Sequence, residues 1–294
     1  MEETGMEQVI KSILLLSVAG AVLTALLLLL KPLTRRMFGS RWQYYIWLVV
    51  LVVMVLPVRM YLPQQQLGKT QDHLPAPTIL SEKNAGQPAV PQAVPPAALT
   101  DEKAAKEGSQ NGPQAAVTPA MRPVLWRIAA FLWLVGALVF FSGGLLSYIR
   151  FMRKIHKNAA DLPCPMLEQV KKELGIHREI TVKTTNLLAT PLLTGVRKPV
   201  LLLSSVTLED DGLRFVLLHE LTHLKRRDLW YKWFAFLVNA VHWFNPFVYL
   251  AVRQIGTECE ISCDLAVTKD REEEEKKGYM NTIIRLASMK KEGE

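Results

Sequence analysis

Cysteine is scarce: three residues in 294. Cys164, Cys259 and Cys263 cannot form the disulfide framework that holds small secreted domains together. Acidic residues are the minority charge, 27 against 35 Lys+Arg. A cleavable secretory leader is not expected either: the first residues carry Glu2, Glu3 and Glu7, and the apolar stretch that follows is too long and has no small-residue cleavage site. No internal repeat occurs, which excludes a solenoid. What is abundant is apolar surface. Half the residues are hydrophobic and the mean hydropathy is +0.14, values that exclude a simple soluble domain.

The apolar residues are concentrated in runs. Val9–Leu30 has the length of a bilayer span, with Lys11 near its end. A second span is expected over Trp42–Leu62, with interfacial aromatics at its start, and a third over Val124–Ile149. Gly136, Gly143 and Gly144 in the third run allow close helix contact, although glycine is also ordinary in such helices. Lys31, Arg35, Arg36 and Arg41 follow the first run, and Arg150, Arg153, Lys154 and Lys157 follow the third. Both clusters belong on the cytoplasmic side, so the N-terminus is expected outside. The basic excess is therefore an orientation signal, and no direct nucleic-acid contact is expected. The expected organisation is two spans within 1–62, an extracellular flexible loop rich in Pro, Ala and Gln over 63–122, a third span over 123–150, and a polar region over 151–294.

The polar region reads as a small α+β unit on the multi-pass helical bundle. Pro165–Leu174 has helical spacing, with Gly175 as its stop. Glu179–Val182 and Pro199–Leu203 read as strands separated by bends at Thr190-Pro191 and Thr194-Gly195. The second of these strands is a candidate for aligning an extended peptide by strand addition.

A helix is expected over Leu208–Arg226, and it carries His219-Glu220-Leu221-Thr222-His223, an H-E-x-x-H pattern. Histidines at i and i+4 share a helix face, so both can bind one Zn²⁺. The glutamate beside the first histidine can take a proton from water at the metal. A catalytic zinc needs a third protein ligand. The downstream candidates are His242, Glu258, Cys259, Glu260, Cys263 and Asp264. Glu260 is favoured as ligand and Asp264, one turn on, as the group that orients a histidine. Glu258 lies about 200° round the helix from Glu260, so both cannot face the metal. His242, in an aromatic run, reads as a satisfied interfacial histidine.

The run from His219 to Asp228, with Trp243-Phe244-Asn245-Pro246 and Glu260-Ile261-Ser262-Cys263-Asp264, resembles the BlaR/MecR-type family of membrane metallopeptidases. The resemblance implies a gluzincin-like cytoplasmic zinc metalloprotease domain over 151–294. It implies His219, His223 and Glu260 as zinc ligands and Glu220 as general base. It also implies a cytoplasmic protein substrate, a transcriptional repressor or the chain itself, and is compatible with a homodimer in contact with membrane lipid. Alternatives are a membrane quality-control protease and a non-enzymatic signalling scaffold. The sequence ends 30 residues after Asp264, so the penicillin-binding sensor that follows in the best-known members is expected to be lacking.

The zinc sets a topological condition. Trp230–Val252 is apolar enough to span, yet a single crossing would separate Glu260 from both histidines. Either the segment does not cross or Glu260 is not the ligand; Asn245-Pro246 divides the run, which suits a helical hairpin or two interfacial helices over 230–252 better than a fourth membrane segment.

Overall fold

The computed structural model describes residues 5–56, 122–204 and 210–292. One unit comprises Met1–Arg59 with Pro123–Glu294; the other, Met60–Arg122, lies outside the described residues apart from Arg122, and with it falls the loop expected over 63–122.

Two long apolar helices dominate the first half. Helix α1 is Gly5–Met37 and α3 is Arg122–Lys157. Both are long and apolar enough to cross a membrane. At 1.5 Å per residue, each exceeds the roughly 30 Å of bilayer hydrocarbon. The excess carries the basic clusters: Lys31 and Arg35 sit on the last turns of α1, and Arg150–Lys157 continues α3 beyond the expected limit at Ile149. Helix α2 (Ser40–Val55) is shorter, and the rest of the span expected to Leu62 lies outside the described residues. It is the most buried of the three. Tyr44, Trp47, Val50, Leu51 and Met54 are almost fully enclosed. Gly20 of α1 makes room for Met54, since a Cβ there would lie 2.4 Å from its side chain.

The α+β unit follows. Strand β1 (Ala160–Asp161) leads to α4 (Pro165–Leu174), then β2 (Thr181–Thr185), β3 (Leu192–Thr194) and β4 (Val200–Ser204). Helix α4 ends as expected at Gly175, whose left-handed φ of 67° closes the helix. The sheet order is β1-β2-β4-β3, with β2 and β4 parallel and the outer pairs antiparallel. This corrects one expectation. Strand β4 is interior and hydrogen-bonded on both sides, so no peptide can add to it; the edges are β1 and, next to β4, β3. The sequence showed only a bend there because a three-residue strand between Pro191 and Gly195 is too short to alternate. Gly195 is required by the β3–β4 turn: its φ is 81°, and a Cβ would lie 2.2 Å from the Lys198 carbonyl.

Helix α5 (Asp210–Arg226) lies against the sheet and α4. Helix α6 (Asp228–Val241), a turn at 242–245, and α7 (Pro246–Thr268) come next, then α8 (Glu273–Glu292). The apolar run is thus a helical hairpin broken at Asn245-Pro246. Asn245 caps α7 by accepting from Phe247 N at 2.9 Å, and its amide donates to Ser17 of α1. His242 donates to the Met54 carbonyl at 3.1 Å and belongs to the bundle core.

Helix α7 serves two cores. Val248, Ala251, Ile255 and Cys259 pack with α2 and α6 in the bundle. Cys263 and Val267 pack with Leu167, Leu201, Leu217, Leu221 and Tyr279 in the α+β unit. Helix α3 docks through aromatics. Trp133 donates its indole N–H to the Val241 carbonyl, and Trp243 donates to that of Trp133. Cβ atoms on Gly136 and Gly144 would collide with Trp243 and Phe236, whereas Gly143 faces open space. The close-contact role expected of these glycines thus holds for two of the three. The last turns of α3 leave the bundle and place Met152 and Ile155 on Leu202 of the sheet. On α8, Leu286 is buried in the domain core and Ile283 packs on it, while Ile284 is exposed.

Candidate metal centre

Helix α5 presents His219 and His223 on one face because four residues make about one turn. Their Nε2 atoms lie 3.1 Å apart. The hairpin of α6 and α7 returns Glu260 to the same side, with Oε2 3.4 Å from each Nε2. Three donors therefore converge from residues 41 positions apart at most. Ligand atoms of a tetrahedral zinc with bonds of about 2.0–2.1 Å are themselves separated by roughly 3.3 Å. Two imidazoles and one carboxylate at 3.1–3.4 Å fit that edge length, and three donors leave a fourth position for water or substrate.

Each imidazole is held from behind. His219 Nδ1 donates into a pair formed by Tyr279, 2.8 Å away, and Asp264, 3.2 Å away; Tyr279 itself donates to Asp264 at 2.6 Å. His223 Nδ1 donates to Asp228 at 2.7 Å. The opposite oxygen of Asp228 accepts from the Tyr44 hydroxyl of α2 at 2.9 Å. Such carboxylates fix the tautomer that points Nε2 inward and raise the basicity of the ring.

Asp228 reaches back because the chain reverses between α5 and α6. Arg227 adopts φ 61° at that junction, a left-handed conformation uncommon outside glycine. The sequence alone assigns a site role to neither Asp228 nor Tyr279. A signal for Asp228 was present, an acid five residues after His223. For Tyr279 none was, since it arrives on a separate helix.

Two other groupings contain cysteine: His219, His223 and Cys263, and His223, Asp228 and Cys259, with potential donor atoms within 4.8 Å of one another. Both are poorer donor sets than the one with Glu260. Cys259 approaches His223 through Nδ1, the nitrogen committed to Asp228. Cys263 is buried and donates to the His219 carbonyl at 3.4 Å. Glu258 turns the other way. It is buried, and ion-paired to Lys31 at 2.9 Å and Arg35 at 2.8 Å on α1.

The electrostatics are those of a cation site. Burial lowers an imidazole, yet the bonds of His219 to Asp264, Cys263 and Glu260 outweigh it and hold the ring far above the usual histidine range. His223 is held up likewise against burial by Asp228, Cys259, Cys263 and Glu260. Burial raises Glu260, but the two histidines and Lys232 pull it well below the ordinary carboxylate range. Positive charge among these atoms is thus strongly favoured, and a dication held there would take the place of the protons. Glu220 differs. Its environment raises it, burial being the largest cause, with the two histidines opposing. Among the described residues no hydrogen bond or ion pair holds its carboxylate.

Residues 11–293 match the family described as BlaR1 peptidase M56, and the chain belongs to that family of membrane metallopeptidases. It is similar to the regulatory protein BlaR1 of Bacillus licheniformis, 31% identical over 164 residues, which cover 54% of this chain and 27% of that protein. It is also similar to the methicillin resistance mecR1 protein of Staphylococcus aureus, 28% identical over 116 residues, 38% of this chain and 20% of that protein. The matches thus span about a quarter of the length of these curated relatives.

Proposed function

We propose that the chain is a multi-pass membrane zinc endopeptidase that cleaves a cytoplasmic regulatory protein in signal transduction, a transcriptional repressor being the substrate class. The observation that carries this reading is the convergence of His219, His223 and Glu260 at 3.1–3.4 Å with Glu220 one residue from the first ligand. These three residues would hold the metal, with Asp264 and Asp228 orienting the imidazoles. A zinc ion there supplies a Lewis acid that acidifies water and polarises the scissile carbonyl.

Glu220 takes the proton of the attacking water and passes it to the leaving amine. Burial, and the absence of a fixed partner among the described residues, suit that role, because they leave the carboxylate basic and free to move a proton. The substrate backbone aligns on the free edge of β3 rather than on β4. The α+β unit lies on the cytoplasmic face, consistent with the basic ends of α1 and α3. The α6–α7 hairpin enters the apolar layer and returns without crossing.

Glu220→Gln in the purified full chain is expected to keep stoichiometric zinc and abolish cleavage of the chain itself or of a trapped partner. Undiminished cleavage by that variant overturns the mechanism.

A further inference from the structure

Arg226 is not part of the basic surface that its neighbours Lys225 and Arg227 suggest. Its guanidinium stacks 4.7 Å from the Tyr44 ring. Lys225 and Arg227 turn outward and line a groove of about 700 Å³. Its other walls come from two distant loops. Arg178, between α4 and β2, and Arg197, in the β3–β4 turn, project into the same space. Arg178 also donates to the Val196 carbonyl at 3.0 Å, which pins the turn carrying Arg197. His223 is among the lining residues. Four cations from three segments therefore face one concavity, and none of its described lining residues is acidic. Arg178 also donates to the Arg197 carbonyl, and an anionic occupant would relieve the repulsion among the remaining cations.

We propose that this groove binds an acidic segment of the protein substrate, next to the bond to be cut. The inference rests on the peptidase reading above. Two observations favour a peptide over anionic lipid. His223 is part of the lining, so an occupant lies beside the candidate metal centre, although His219, Glu220 and Glu260 do not line the groove. Arg178 and Arg197 belong to loops of the sheet rather than to the apolar bundle. The volume lies within the range of ligand-binding clefts.

The test uses the full chain carrying Glu220→Gln, zinc-loaded, in phosphatidylcholine nanodiscs, so that binding is read without cleavage. Fluorescein-labelled peptides identical except for a block of four aspartates, four serines or four lysines are titrated by anisotropy. The aspartate peptide is expected to bind roughly tenfold tighter than the serine peptide at low salt, as a few exposed ion pairs provide. The preference should fade as salt rises. Arg197→Ala with Lys225→Ala should erase it and leave the serine peptide unchanged. Equal binding of all three peptides overturns the proposal. So does a preference that survives the double substitution while flotation with phosphatidylserine vesicles is lost, which assigns the cations to lipid. Failure of the peptidase reading is separate: it shows as cleavage by Glu220→Gln and leaves the peptide preference untouched.

Discussion

The two faces of α7 are made of the same residue type put to opposite uses. Glu258 looks into the bundle and is enclosed between α1 and α2, with Lys31 and Arg35 as partners. Glu260 looks out at the histidines and is half-exposed. Two residues further along, a glutamate passes from holding helices together to facing two imidazoles. A carboxylate taken out of water must be paired or it is strongly destabilising. One beside open solvent can wait for a metal. The bundle thus packs beneath the small domain, and the small domain supplies the two histidines of the candidate centre, with one helix common to both.

That division can be broken by experiment. Glu260→Ala should have the largest effect, a fall in zinc affinity beyond the roughly 100-fold that marks the loss of an outer partner, read by chelator competition. Retention of full metal content would move the assignment to Cys259 or Cys263. Glu258→Ala should do the reverse. It leaves Lys31 and Arg35 without their buried partner and costs about 2–3 kcal/mol, discounted because Arg35 is half-exposed. The midpoint of chemical unfolding in detergent should fall, with zinc affinity little changed. A loss of zinc equal to that of Glu260→Ala would erase the distinction between the faces.

Tyr44→Phe sharpens the comparison, since Tyr44 is the bundle residue that touches the site. Losing its bond to Asp228 should cost about 1 kcal/mol, or up to tenfold in zinc affinity. A shifted visible spectrum of the cobalt-substituted protein would show that His223 has been reoriented. An unchanged spectrum and affinity would confine the bundle to scaffolding.

Much of this was legible in advance because it is local. The face shared by His219 and His223 follows from helical pitch, as does the opposition of Glu258 and Glu260. Pro165 and Gly175 delimit α4, and Asn245-Pro246 breaks the hairpin, each through its own backbone chemistry. The edge role of β3 was not legible, because three residues carry no period. Nor was the basic groove, whose walls are far apart in sequence.

The sequence by itself therefore determined the apolar runs, the H-E-x-x-H helix and the family to which the chain belongs, since pitch and composition act over a few residues. Only the tertiary structure decided that Tyr44 would reach Asp228 from 184 residues away, or Tyr279 reach His219 from 60. Those contacts depend on how α2 and α8 pack against the rest, and on the reversal at Arg227. Packing and chain reversal join surfaces that no local pattern encodes.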